Sequence, residues 1–158
     1  MVEESLTVAL HDAAATHKLG VVLGQSLAAG SVILLAGDLG AGKTTLVQGI
    51  GEGLGITEAI ASPTFTLINE YTEGQLPLYH LDLYRLQPPD VSALYLEQYW
   101  DGIEVEPGIM AIEWAERMPD LPETYLSIQL HYSADGGRQA QLTAVGEFEL
   151  SALSLYKD

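Results

Sequence analysis

"VILLAGDLGAGKTTLVQGIGEGL", residues 32–54, decides the fold. Val32–Ala36 is a continuous apolar run bounded by glycines, the pattern of a strand buried on both faces. Lys43–Leu54 has helical spacing, and Gly55 stands where a helix stop belongs. Between them, Gly37-x-x-x-x-Gly42-Lys43-Thr44 matches the Walker A pattern at every fixed position, in the strand–turn–helix setting the motif requires. Glycines let successive backbone N–H groups turn inward as an anion nest, and the helix directs the positive end of its dipole at the same point. The chain has only six Lys and Arg residues, and one of them, Lys43, stands in this turn. The pattern predicts that a nucleoside triphosphate binds here with Mg²⁺. Lys43 would reach the β- and γ-phosphates, the Thr44 hydroxyl would sit on Mg²⁺, and Thr45 would add an α-phosphate contact.

A Walker A site needs an acid for the metal, direct or through water. Two carboxylates end apolar runs. "GIMAIEW" places Glu113 in the usual setting of a Walker B acid, and "LPLYHLDLYRL" places Asp82 at the end of another strand. Carboxyl ends of strands line the ligand crevice of open α/β sheets, so both are expected beside the turn. Glu113 is the preferred metal ligand; Asp82 is either a second carboxylate behind it or the base that orients the attacking water. Ser62 and Thr64 in "ASPTFTLINEY" lie where a γ-phosphate-sensing loop follows the helix in many P-loop proteins. A Ser-Pro turn entering a strand fits them equally. His80 reads as a hydrogen-bonded structural histidine, and Trp114 as packing.

Around this centre, Leu6–Leu10 reads as a first strand, and His11-Asp12 opens a helix over Ala13–Leu27. Phe65–Tyr71 and Leu78–Leu83 read as strands joined by a hairpin at "TEGQLP". Pro88-Pro89-Asp90 starts a helix through about Tyr99. "YLSIQLHY" and "RQAQLTAV", split by Asp135-Gly136-Gly137, form a C-terminal β-hairpin. The expected fold is α/β: a P-loop NTPase-like mixed central sheet flanked by helices. No repeat or linker divides the chain, so residues 1–158 are expected to form one domain, large enough to bury roughly 70% of its unfolded surface.

Composition narrows the function. The formal charge is −16, and the cations Lys18, Lys43, Arg85, Arg117, Arg138 and Lys157 are too scattered to form a phosphate-backbone stripe. Direct nucleic-acid binding is therefore not expected. The acidity serves solubility or meets a basic protein partner. The chain has no cysteine, which rules out disulfides and thiolate metal sites. No apolar run approaches a membrane span, and "MVEESLTVALHD" opens on acids rather than a basic signal region, so a cytoplasmic protein is expected. A kinase of a small molecule or nucleotide is the main rival reading, but it needs more arginines than remain here. A GTPase wants an Asn-Lys-x-Asp guanine reader, whereas the lone asparagine, Asn69, is followed by Glu70. A nucleotide-dependent interaction module would differ from an ATPase only in rate.

Taken in this order and spacing, "GDLGAGKTT", "SPTFTLINEY", "LYHLDLYRL" and "IEW" resemble the TsaE family, bacterial P-loop ATPases required for making threonylcarbamoyladenosine in tRNA. The resemblance runs from about Leu6 to about Val145. It implies a mixed α/β fold, weak ATP hydrolysis by the protein alone, and partnership with TsaD and TsaB, which transfer the threonylcarbamoyl group. The ATP cycle would support turnover of that complex. Phosphate contacts are implied at Gly40, Ala41, Gly42, Lys43, Thr44 and Thr45; Gly37 and Asp38, in the same turn, are further candidate nucleotide contacts. Thr44 and Glu113 are implied for the metal, and Lys43, Asp82 and Glu113 for catalysis. Further positions near the nucleotide fall at Gly137-Arg138 and Asp12-Ala13.

Overall fold

The structure, a computed structural model, describes residues 4–37, 40–61, 63, 68–101, 105–134 and 136–148. These form one seven-stranded sheet with helices. In chain order the elements are β1 (Glu4–Leu10), α1 (Ala13–Ser26), β2 (Val32–Gly37), α2 (Lys43–Gly53), β3 (Ile68–Tyr71), β4 (Leu78–Asp82), α3 (Pro88–Ser92), α4 (Glu97–Asp101), β5 (Ile109–Glu113), β6 (Tyr125–Tyr132) and β7 (Arg138–Val145), with a 3₁₀ turn at Ala115–Arg117.

The sheet order is β1-β7-β6-β2-β5-β4-β3. The apolar run of β2 lies near its centre, parallel to both β5 and β6, and β5 is parallel to β4. The pairs β1–β7, β6–β7 and β3–β4 are antiparallel. The sheet is therefore mixed, as the alternation of patterns requires, and the C-terminal hairpin is β6–β7. Phe65–Leu67, which the sequence adds to β3, lie outside the described residues.

Alternation along β2 divides the core in two. Ile33 and Leu35 face a cluster with Leu19, Leu23, Leu46 and Ile50 of the two long helices. Val32 and Leu34 face Tyr79, Leu81, Val91, Leu96 and Ile112 on the other side. The chain over 88–101 departs from the single helix expected there. It forms two short helices separated by a turn in which Tyr95 adopts a left-handed backbone, φ 52°. Val91 and Leu96 both sink into the second core. Five residues apart, they would point to different faces of a continuous helix. Breaking the helix buries both and brings Tyr99 edge-on to Tyr79, with ring centroids 5.1 Å apart.

The contact that places α2 is its crossing with α1. A methyl group added at Gly20 would strike the carbonyl oxygen of Leu46, and one at Gly24 that of Ile50. From the other side, Gly49 and Gly53 lie against the carbonyls of His17 and Val21. Each helix thus presents two glycines four residues apart, on one face, so the two backbones touch directly. Helix α1 is itself anchored by Asp12, whose Oδ1 accepts from the Ala15 N–H at 2.8 Å as an N-cap.

Gly49→Ala tests this seam. Alanine gains about 1 kcal/mol of helix propensity over glycine. Overpacking against a backbone carbonyl, which cannot rotate away, costs about 1–3 kcal/mol. Urea melts are expected to show a net loss of stability, and an unchanged or raised midpoint would mean that the helices are not held at this distance.

Candidate functional site

Strand β2 ends at Gly37, and α2 starts at Lys43 behind Gly42. Gly42 occupies the cap position with a left-handed backbone, φ 107°, and carries no side chain to satisfy the first-turn N–H groups. The helix opening therefore faces outward as a concentration of positive partial charge. It forms one wall of a cavity of about 250 Å³, lined by Gly40, Gly42, Lys43, Thr44, Thr45, Asp82, Glu113 and Trp114.

Lys43 is buried, 5% exposed. Its ammonium donates to the Gly37 carbonyl at 2.8 Å and lies 4.5 Å from the centroid of the Trp114 ring. Both contacts offset the cost of removing the charge from water. Trp114, read from the sequence as packing, therefore also contacts the lysine of the glycine-rich turn. Its ring stands 4.9 Å from that of Tyr84, and its backbone is left-handed at φ 59°. Such a conformation is uncommon for a bulky residue and costs of order 1–3 kcal/mol.

The acids meet opposite this wall. Asp82 and Glu113 are register partners at the ends of β4 and β5, and the Leu83 N–H donates to the Glu113 carbonyl at 3.1 Å. Glu113 is 3% exposed. The Thr44 hydroxyl donates to its two carboxylate oxygens at 3.3 and 3.2 Å. These are long for O–H···O bonds, whose ordinary length is about 2.7–2.8 Å, so the hydroxyl is not tightly committed to the acid. The second carboxylate oxygen also meets His80 Nε2 at 2.5 Å. The Asp82 carboxylate accepts from the Tyr84 N–H at 3.0 Å. Burial raises its pKa above the ordinary aspartate value, and the Glu113 carboxylate pushes the same way, against the Tyr84 amide, His80 and Lys43.

The C-terminal hairpin reaches the turn from outside the cavity lining. The Tyr132 hydroxyl donates to the Gly40 carbonyl at 3.1 Å, and the Arg138 guanidinium stacks on the Tyr132 ring at 4.4 Å. Arg138 thus stands at the edge of the site through Tyr132, a residue the sequence reading passed over; its place opposite Arg138 across the hairpin is the one available signal. Ala41 is fully buried beneath the turn and does not line the cavity. Gly37 meets the site through its carbonyl. Asp12 acts as a helix cap. Asp38, Ser62, Thr64 and Asp135 lie outside the described residues.

Thr44, Glu113 and Asp82 offer only oxygen, the donor set of a hard cation such as Mg²⁺. Among the described residues no group of three or more His, Cys, Asp or Glu side chains is arranged to hold a metal. A cation here would need water or phosphate oxygens to complete its shell. That is how Mg²⁺ ordinarily binds, with one or two carboxylates beside substrate phosphates.

A glycine-rich turn between a buried parallel strand and a helix, flanked by acidic strand ends, defines a P-loop-type α/β protein. Comparisons with known proteins narrow the class. The profile described as "Threonylcarbamoyl adenosine biosynthesis protein TsaE" matches residues 10–140, and the chain belongs to the TsaE family. It is 63% identical over 142 residues to the tRNA threonylcarbamoyladenosine biosynthesis protein TsaE of Nostoc sp., covering 90% of this chain and 88% of that one. Identity to the protein of the same name from Bacillus subtilis is 46% over 118 residues, covering 74% and 72%. The crystal structure of Bacillus subtilis YdiB superposes with a TM-score of 0.80 at 33% identity, covering 99% of this chain and 96% of that one.

The raised Asp82 pKa predicts a pH-dependent cost. The folded chain keeps this proton to higher pH than the unfolded chain, whose aspartates titrate near 3.9. Stability attributable to Asp82 therefore falls as pH rises from that value through the raised one. Asp82→Asn is expected to melt at the same temperature as the parent below about pH 4 and at a higher one at pH 7. A difference that does not open with pH would contradict this electrostatic reading.

Proposed function

We propose that this chain is a Mg²⁺-dependent ATP-binding protein with weak ATPase activity that supports threonylcarbamoyladenosine formation in tRNA, together with TsaB and TsaD. The observation that carries the reading is the convergence of the Lys43 ammonium, the Thr44 hydroxyl and the carboxylates of Glu113 and Asp82 on one cavity at the opening of α2. At about 250 Å³ the cavity is smaller than the roughly 300–1,000 Å³ of pockets that enclose whole drug-sized ligands, which suits the phosphate end of a nucleotide.

In this reading Lys43 exchanges its Gly37 and Trp114 contacts for phosphate oxygens, and the first-turn amides cradle the same charge. Thr44 and Glu113 would hold Mg²⁺, which when bound neutralises charge on the terminal phosphates. Asp82, with its affinity for a proton raised, orients the attacking water and accepts its hydrogen bond. The names of the relatives support the tRNA-modification role. Among the described residues no helix is long and apolar enough to cross a membrane, which fits the proposed cytoplasmic location. With a charge of −16, a basic protein surface is a better partner than the tRNA itself.

Lys43→Ala is expected to weaken ATP binding by at least about 2 kcal/mol, a loss of 30-fold or more read by calorimetry, since it strips the charged partner from a desolvated site. Tight binding by that variant would refute the assignment. Glu113→Ala is expected to keep some nucleotide affinity and lose Mg²⁺-dependent hydrolysis; unchanged hydrolysis would transfer the metal role to Asp82. ATP turnover should rise when TsaB and TsaD are added together. Phosphorylation of a small acceptor in their absence would favour the kinase reading instead.

A further inference from the structure

Against the Glu113 carboxylate oxygen that Thr44 also meets stands a group that the proposed chemistry does not use. His80, in the middle of β4, is fully buried, and its Nε2 lies 2.5 Å from Glu113 Oε2. Its other nitrogen, Nδ1, has no hydrogen-bond partner among the described residues. His80 pairs with Ala111, and Asp82 with Glu113, so His80 reaches Glu113 diagonally across two parallel strands on the face under α2.

The contact is a hydrogen bond between a ring nitrogen and a carboxylate oxygen. An ionised carboxylate can only accept, so Nε2 must donate. Nδ1 is buried without a partner among the described residues whether it carries a proton or a lone pair, a cost of about 1–3 kcal/mol that the bond at Nε2 must offset. With a proton on Nε2, His80 ties one oxygen of Glu113. Among the described residues the Thr44 hydroxyl is the carboxylate's other partner. Without His80 a 3%-exposed carboxylate would keep, among the described residues, only that contact and would lose the donor that offsets its burial.

We propose that His80 is a positioning residue. It locks the Glu113 carboxylate in the orientation that presents it to Thr44 and to the cation, and it does so without touching nucleotide or metal. The proposal rests on the Mg²⁺–ATP reading given above. Removing partners that orient metal-binding side chains ordinarily costs 10- to 100-fold in metal affinity or activity.

The test is Mg²⁺-dependent binding of a fluorescent ATP analogue to the full chain and to two variants. His80→Leu keeps the buried volume without a donor. His80→Gln places an amide nitrogen the same number of bonds from the backbone as Nε2. In His80→Leu the Mg²⁺ concentration for half-maximal binding is expected to rise about 10- to 100-fold, with binding in EDTA unchanged, and His80→Gln should restore most of the difference. A folded His80→Leu with the parent Mg²⁺ dependence, or a His80→Gln as impaired as the leucine variant, would overturn the role. Should His80→Leu not fold, ¹⁵N NMR of the parent histidines decides: the Nε2–H tautomer is expected, and a proton on Nδ1 alone would overturn it. A parent chain that shows no Mg²⁺-dependent binding would overturn the nucleotide reading and this one together. Dependence present in the parent and unchanged in His80→Leu would overturn this one alone.

Discussion

Parallel pairing of β2 with β5, and of β5 with β4, is the constraint on which the site depends. Three strands that run the same way end on the same edge, so Gly37, Glu113 and Asp82 arrive together although they are far apart in the chain. Register then does the fine placement. Leu35 pairs with Glu113, and Glu113 with Asp82, which puts both carboxylates level with the start of the glycine-rich turn. A slip of one residue in either ladder would turn the acid to the opposite face of the sheet. The apolar character of β2 and β5 on both faces makes such a slip costly only in company with its neighbours; the two helices packed on one face supply that selectivity.

The second requirement is that α2 cannot drift. Its glycine seam with α1 brings backbone against backbone, and a contact of that kind admits little sliding, because there are no side chains to repack. The helix opening is thereby held at a fixed distance from the strand ends. Asp12 secures the start of α1, so the N-terminal helix serves the site as a buttress.

Stability is given up locally to keep the site ready. Among the described residues the buried polar or charged side chains are Thr16, Lys43, His80 and Glu113; Lys43 and Glu113 line the cavity and His80 contacts Glu113. Trp114 holds a left-handed backbone beside them, and Asp82 keeps a carboxyl whose charge its surroundings resist. Each departs from what folding alone favours, and they cluster around one cavity at the opening of α2. The rest of the core is apolar and regular, which is what lets this one corner be strained.

The sequence by itself determined the glycine-rich turn, the strand before it, the helix after it and the two acids that end apolar runs. All of these are local patterns, in which residue spacing along the chain dictates which groups face one way. It also determined the mixed sheet and the C-terminal hairpin, because alternation with a period of two needs only near neighbours. What tertiary structure decided lies between segments distant in the chain: the His80–Glu113 bond, the Tyr132 hydroxyl on Gly40, the Lys43 ammonium under Trp114, and the glycine seam of α1 and α2. The break at Tyr95 belongs there as well, since local propensity favoured one helix and burial of both Val91 and Leu96 overrode it. Such contacts depend on strand order and register, which no short window of sequence contains, because the free energy that selects them is shared across the whole core.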